Sequence, residues 1–265
     1  MDKLKNPHDM FDIAGKVAIV TGATGAFGSV AARILAGAKC QLVLTGGNAE
    51  VLESLADELR SDGADVVCVN RRPSTPEDCD AIVKQAVDSF SRLDILVVAS
   101  GMNDIAPIVE MNVERFERVM QANVTDSWLM SQSAGKQMMA QDEGGKVVLV
   151  SSARGKLGHP AGYSAYCSSK HAVNGITKAL GCEWGKHGIT VNALAPTVFR
   201  SDLTAWMFAD DERGTTTREG MLSRIPVGRL GEPEDLAGPL LFLVSKASDF
   251  HTGHTLYADG GYTAG

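Results

Sequence analysis

Between Ser151 and Lys170 the chain reads SSARGKLGHPAGYSAYCSSK, and three residues in this stretch can move protons: Ser152, Tyr166 and Lys170. Tyr166 and Lys170 are four residues apart, so on a helix both side chains lie on one face, one turn apart. An ammonium beside a phenol favours the phenolate and lowers the tyrosine pKa. Such a pair gives and takes a proton near neutral pH. Most Tyr-x-x-x-Lys pairs are solvated helix faces, so chemistry here requires a cofactor and a pocket beside the pair. Other reactive residue types offer no competing constellation. The five cysteines (Cys40, Cys68, Cys79, Cys167 and Cys182) are scattered, with no Cys-x-x-Cys pair and no zinc spacing. No metal is expected, and Cys167 reads as a small helix residue rather than a nucleophile.

The elements that must position these residues alternate regularly. Val17 to Val20 is a short apolar strand, followed by the glycine loop TGATGAFG and a helix from Ser29 to Ala38. Glycines there allow a tight turn and bring backbone N–H groups close to a pyrophosphate at the helix N-terminus. Leu42 to Leu44 is a second strand. Asn48 then caps a helix running to about Arg60, with Val51, Leu52, Leu55 and Leu59 on one face. Strand Val66 to Val69, helix Pro76 to Phe90 and the near-continuous apolar strand Leu93 to Val98 follow. Val113 to about Met139 reads as one long helix. Lys146 to Val150 is a fifth strand that leads into Ser152. Ser164 to about Lys186 is the helix of Tyr166 and Lys170, and Ile189 to Leu194 is a sixth strand. Residues 201–225 read as irregular, a lid-like segment beside the site. Glu232 to Val244 is helical, and Thr255 to Ala258 is the last strand. The expected architecture is α/β: one Rossmann-type domain spanning residues 1–265, of which residues 1–14 are an N-terminal tail. Its doubly wound parallel sheet has about seven strands and helices on both faces. Ligands of such sheets bind outside the carboxyl ends of the strands.

The 265 residues are 44% hydrophobic and 22% charged, with a net charge of −7 and a pI of about 5.4. That balance gives no reason to expect a nucleic-acid partner. No apolar run reaches the ~18 residues that a membrane span needs, and MDKLKNPHDMF does not read as a signal peptide. With its unpaired cysteine pattern the chain is expected in the cytoplasm.

Taken together, the glycine loop, DILVVASG at Asp94 to Gly101, Asn123 in QANV, Ser152, the Tyr166/Lys170 pair, APTVFRS at Ala195 to Ser201 and ADGG at Ala258 to Gly261 resemble the short-chain dehydrogenase/reductase family, compact branch. The resemblance implies a nicotinamide cofactor and the oxidation of alcohols or reduction of carbonyls. It implies that Tyr166 exchanges a proton with the substrate oxygen and that Lys170 lowers its pKa and holds the nicotinamide ribose. It also implies that Ser152 hydrogen-bonds the substrate oxygen, and that Asn123 orients a water in a proton relay to Lys170. Cofactor contacts are implied for Gly22, Thr24, Gly25, Phe27 and Gly28 in the glycine loop and for Gly46, Gly47, Arg72 and Pro73 after the second and third strands. The same holds for Ala99 and Gly101 after the fourth strand, for Tyr166 and Lys170, and for Pro196, Val198 and Ser201 after the sixth. Relatives commonly form tetramers through their long helices and last strand, so a homotetramer is expected.

Departures from the family pattern carry information. Ala26 stands where the compact branch has a glycine, with Gly25 just before it. The usual Asn-Asn-Ala-Gly is Val98-Ala99-Ser100-Gly101, so the hydrogen bonds of two asparagines must be replaced or absent. The second strand ends at Gly46 rather than the acid that binds the ribose 2′-OH in NAD enzymes. Arg71 and Arg72 follow the third strand, where an arginine can reach a 2′-phosphate. NADP or NAD is therefore expected, with NADP favoured.

Over the nicotinamide three segments should converge: Met102-Asn103-Asp104, Arg154 to Tyr163, and 201–225. They bring Trp206, Met207, Leu157 and Tyr163 together with Arg154, Lys156, His159 and Arg200. Such a cleft fits a small alcohol or ketone, and the basic groups favour a sugar, polyol or hydroxy/oxo-acid. Arg154, His159, Tyr163 and Trp206 are the expected substrate contacts, Arg154 as the anchor. The alternatives are a 3-oxoacyl thioester reductase of the same family and a catalytically silent dinucleotide sensor. The second would predict loss of Tyr166 or Lys170, and both are present.

Overall fold

Alternation of side chains along each buried strand sends neighbouring residues to opposite faces. In the computed structural model, which describes residues 4–265, strand β1 (Val17–Thr21) shows this division clearly. Ala18 and Val20 join one core and Val17 and Ile19 the other. The strands β2 (Gln41–Thr45), β3 (Val66–Val69), β4 (Ile95–Val98), β5 (Gly145–Val150), β6 (Ile189–Pro196) and β7 (Thr255–Ala258) complete a seven-stranded sheet. Its order is β3-β2-β1-β4-β5-β6-β7, and every pairing is parallel. This is the doubly wound order, with its switch point between β1 and β4.

Helices α1 (Ala26–Gly37), α2 (Ala49–Ser61) and α8 (Ala237–Val244) cover one face, packing Leu35, Leu52 and Leu240 into the first core. Helices α3 (Pro76–Phe90), α5 (Asp126–Gln141) and α6 (Ser164–Trp184) cover the other, with Ile82, Met130 and Val173 in the second core. Among the described residues, the two remaining α-helices are α4 (Val113–Met120) and α7 (Glu212–Leu222). Among the described residues, no helix is long and apolar enough to cross a membrane.

Several boundaries differ from the sequence reading for identifiable reasons. Helix α1 begins at Ala26 rather than Ser29, because Gly25 is its N-cap. Asn48 caps α2 as expected, its side chain accepting from Val51 N, but Val51 itself faces solvent beside the buried Leu52, Leu55 and Leu59. The long helix from Val113 is interrupted at Gln121–Thr125, where a π-helical segment joins α4 to α5. The expected helix from Glu232 opens with a 3-10 turn, Pro233–Leu236, fixed by reciprocal capping between Glu232 and Asp235. Residues 201–225 are not irregular. They hold a 3-10 turn at Ala205–Phe208 and then α7, whose Asp211 cap accepts from Gly214 N at 2.7 Å. Residues 1–3 of the expected tail lie outside the described residues, and within the rest Pro7–Phe11 forms a 3-10 turn.

Candidate active site

Strand β5 ends at Val150 and delivers Ser152 to the carboxyl edge of the sheet, where a 3-10 turn, Ala153–Gly155, follows at once. Ser152 is extended (φ −164°), and its Oγ accepts from Arg154 N at 3.1 Å. That bond occupies a lone pair and leaves the hydroxyl proton to be donated. Helix α6 runs alongside and carries Tyr166 and Lys170 on one face.

Lys170 is only 5% exposed, its Nζ donating to Val150 O at 2.7 Å and lying 5.6 Å from the centre of the Tyr166 ring. Burial pushes the ammonium down to about 8. Burial likewise pushes the Tyr166 phenol up, with the Ser152 hydroxyl pulling the other way. The expected lowering of the phenol by the lysine is not among the causes that act on it; burial of each group sets the direction of its own shift. Hydrogen bonding from Ser152, and behind it the charge of Arg154, favour the phenolate.

Asn123 sits in the π-helical segment and is buried. Its Oδ1 accepts from Met102 N at 2.7 Å, and its Nδ2 donates to Met102 O at 2.9 Å and to Ser169 Oγ at 2.8 Å. Ser169 Oγ in turn donates to Tyr166 O at 2.8 Å. The side chain therefore ties the loop after β4 to helix α6. It also sets Gly101 close to the site: a Cβ there would meet Asn123 Oδ1 at 2.7 Å and approach Lys170 Nζ to 3.8 Å.

On the other side of Gly101 lies a cavity of about 170 Å³. Gly22, Thr24, Gly25, Gly46, Gly47, Arg72, Pro73, Ala99 and Gly101, all expected to touch the cofactor, line it. Phe27 is buried in the core beneath, and Gly28 packs against Gly22 so closely that a Cβ there would overlap the Gly22 carbonyl. Pro196, Val198 and Ser201 lie on the chain leaving β6 and do not line this cavity. Gly22 has φ +62°, and a Cβ would lie 2.6 Å from Ser100 N. Gly22→Ala is therefore expected to cost about 2–4 kcal/mol from left-handed strain and backbone overlap, read as a lowered Tm. Where the family has two asparagines, the hydrogen bonds at this loop are made by Thr21 and Ser100: Thr21 Oγ1 pairs with Ser100 Oγ at 3.0 Å and accepts from Ser100 N.

Arg71 pairs with Asp78 at 2.7 Å. Arg72 makes no ion pair among the described residues; its guanidinium lies against Gly47, where a Cβ would meet Nε at 2.5 Å. Sequence reasoning missed Asp126, a buried carboxylate on α5 that lines the same cavity and whose pKa burial pushes up. It carries no motif signal, and it opens α5 directly after the π-helical segment.

Next to Tyr166, the tilted rings of His159 and Tyr163 lie 4.5 Å apart between centroids, and Tyr163 meets Tyr166 edge-on at 6.2 Å. His159 Nδ1 accepts from Ala161 N, which places its proton on Nε2. Burial, then Arg154 and Arg224, lower its pKa from the ordinary histidine value. Trp206 is held on the lid side by Arg213, whose guanidinium stands 4.3 Å over the ring. Arg200 is turned to Glu232 at 2.9 Å and lies on Phe208. The expected anchor, Arg154, is 9% exposed and donates to Gly158 O and to Tyr262 OH, both at 2.9 Å. A larger cavity of about 660 Å³ lies at the opposite, amino edge of the sheet near Asp94, Lys146 and Thr190, away from these groups.

A family model described as "Enoyl-(Acyl carrier protein) reductase" matches residues 22–263. The chain belongs to the short-chain dehydrogenase/reductase family. It is 52% identical over 254 residues to an uncharacterized oxidoreductase of Mycobacterium tuberculosis, covering 96% of this chain and 93% of that one. A 3-oxoacyl-(acyl-carrier-protein) reductase of Rickettsia felis is 34% identical over 252 residues, covering 95% and 98%. The crystal structure of a gluconate 5-dehydrogenase from Burkholderia cenocepacia, in complex with NADP and tartrate, superposes with a TM-score of 0.88 at 29% identity, covering 98% and 100%. As a short-chain dehydrogenase/reductase the protein is an NAD(P)-dependent oxidoreductase that interconverts an alcohol and a ketone.

Its residues fit a dinucleotide. Gly22, Gly25, Gly46 and Gly47 line the cavity with backbone, Gly28 lets helix α1 close on Gly22, and at Gly101 the cavity comes near Lys170. When bound, the nicotinamide supplies or accepts the hydride.

Proposed function

We propose that the enzyme interconverts a hydroxylated acid of the gluconate type and its oxo form, with NADP, through Tyr166. The carrying observation is the placement of Tyr166, Ser152 and buried Lys170 beside the glycine cradle. In the oxidative direction Tyr166 takes the proton of the substrate hydroxyl. Ser152 donates its hydroxyl proton to the same oxygen and steadies the developing charge. Lys170, pushed down to about 8, exchanges protons near neutral pH and holds the nicotinamide ribose. Asn123 holds the loop after β4 against Lys170 and orients the relay water there.

His159 Nε2–H and the Tyr163 hydroxyl are donors for substrate hydroxyls, and Trp206 closes the pocket from the lid at 201–225. Arg154, Arg213 and Arg224 keep this side positive, which supports an anionic substrate. The Burkholderia structure, a gluconate 5-dehydrogenase with tartrate, points the same way. The Rickettsia relative keeps a 3-oxoacyl thioester reductase as the second reading. Turnover of D-gluconate against an acetoacetyl thioester separates them: activity on the thioester alone would overturn the sugar-acid reading.

Arg72, without an ion pair over Gly47, supports NADP through a charge-assisted contact to the 2′-phosphate. Arg72→Ala is expected to raise KM for NADP⁺ by about tenfold or more and leave KM for NAD⁺ unchanged. Equal effects on both cofactors would reject the role. Exposed Val113, Phe116 and Trp128 on α4 and α5 support assembly as a homotetramer. Five free cysteines support a cytoplasmic, reducing location.

A further inference from the structure

The C-terminal segment is fastened to the loop that follows Ser152. Tyr262 is 2% exposed and packs with Ala153, Ile225 and Leu230. Its OH accepts from Arg154 Nη2 at 2.9 Å, and the Arg154 and Arg224 guanidinia lie 5.4 Å and 4.4 Å from its ring centre. Beside it, Lys156 Nζ donates to Thr263 O at 2.8 Å. The Asp259 carboxylate accepts from Gly261 N and Thr263 N, both at 3.0 Å, and so fixes the segment.

Arg154 is buried with no carboxylate within ion-pair distance among the described residues. Its hydrogen-bonding partners are a carbonyl of its own loop and one phenol 108 residues away. A three-residue 3-10 turn has little stability of its own. Yet the backbone N–H of Arg154 is what occupies Ser152 Oγ and leaves the serine proton for donation.

We infer that Tyr262 is a positioning residue: by holding the Arg154 guanidinium it fixes the turn that sets the Ser152 hydroxyl as a donor to the substrate oxygen. This rests on the proposed role of Ser152. It assigns the Arg154 guanidinium to the loop rather than to a direct substrate contact. The C-terminal tyrosine thus acts on the reaction without touching the reacting atoms.

The test is a double-mutant cycle on D-gluconate oxidation with NADP⁺, joined to amide hydrogen exchange, which needs no substrate. Tyr262→Phe keeps the ring and strands a buried N–H. It is expected to lower kcat about tenfold with KM for D-gluconate unchanged. In a Ser152→Ala background the same change is expected to alter kcat by less than about twofold, because the two act as one unit. Amides of residues 152–158 are expected to exchange faster in Tyr262→Phe, with β1 and β4 unaffected. An unchanged kcat, a full tenfold loss persisting in Ser152→Ala, or unchanged exchange at 152–158 would each overturn the inference. Should Tyr262→Phe not fold, Arg154→Met removes the contact from the other end and keeps the backbone N–H. A raised KM with unaltered exchange in that variant would make Arg154 the substrate anchor and sink the positioning role. If Ser152→Ala itself keeps full kcat, or wild type does not turn over D-gluconate, the proposed function fails instead, and exchange at 152–158 still decides the contact.

Discussion

Lys170→Met is expected to stop turnover and, at pH 7, to make the protein more stable. Lys170 is almost wholly buried and has Val150 O as its hydrogen-bond partner, with no carboxylate beside it. Burial brings its pKa from the ordinary 10.5 to about 8. Holding the ammonium inside at pH 7 therefore costs about 3 kcal/mol, at 1.36 kcal/mol per pKa unit. Methionine fills a similar volume without a charge. After loss of the Val150 bond, about 1–3 kcal/mol of net stabilisation remains, worth several degrees in Tm for a chain of this size. The pH dependence has a definite sign. Below about 8 the lysine is protonated in both states, and its contribution is flat. Between about 8 and 10.5 the unfolded chain holds a proton that the folded chain has lost, so wild-type stability rises with pH. Calorimetry should show the Tm advantage of Lys170→Met shrinking from pH 7 to pH 10. A variant less stable than wild type at pH 7 would mean that the charge is compensated in the fold. Turnover should fall by about 10² to 10⁴, the range for loss of a positioned proton-transfer group.

Tyr166→Phe removes one oxygen and leaves the ring that meets Tyr163 edge-on. A fall in kcat of about 10³ or more is expected, with the Kd for NADPH, read by cofactor fluorescence, within about twofold of wild type. The asymmetry follows from the layout: the cavity lined by the glycine loop, Arg72, Pro73 and Gly101 does not have Tyr166 among its lining residues. Since burial raises the phenol pKa and Ser152 opposes it, Ser152→Ala should also move the acid limb of the wild-type oxidation profile to higher pH. An unmoved limb would remove Ser152 from the tuning of Tyr166.

The sheet was legible because its strands obey a rule of period two: β1 and β4 divide their residues cleanly between two cores. The Tyr166/Lys170 pair was legible because spacing on a helix fixes which side chains share a face. Spacing does not report burial, and burial decides the direction of both pKa shifts. Helix α7 was missed because ERGTTTREGML has no apolar stripe and includes three threonines and two glycines; its stability comes from the Asp211 cap and from Arg218, which bonds Met207 O and Ala209 O. Arg154 reads from sequence as a free cation beside Ser152. Its partner Tyr262 is 108 residues distant, and only the pairing of β7 with β6 brings the C-terminus back over the loop. Asp126 was hidden for a similar reason, since a π-helical turn has no period to recognise.

The most direct test of the account is absorbance at about 340 nm, the signature of the reduced nicotinamide. It should be followed with D-gluconate and NADP⁺ for wild type and Tyr166→Phe side by side. Steady formation of NADPH by wild type, and at least about 10³-fold less by Tyr166→Phe at matched cofactor occupancy, is the predicted result. Equal rates in the two proteins would contradict the assignment of Tyr166, and with it the reading of the site.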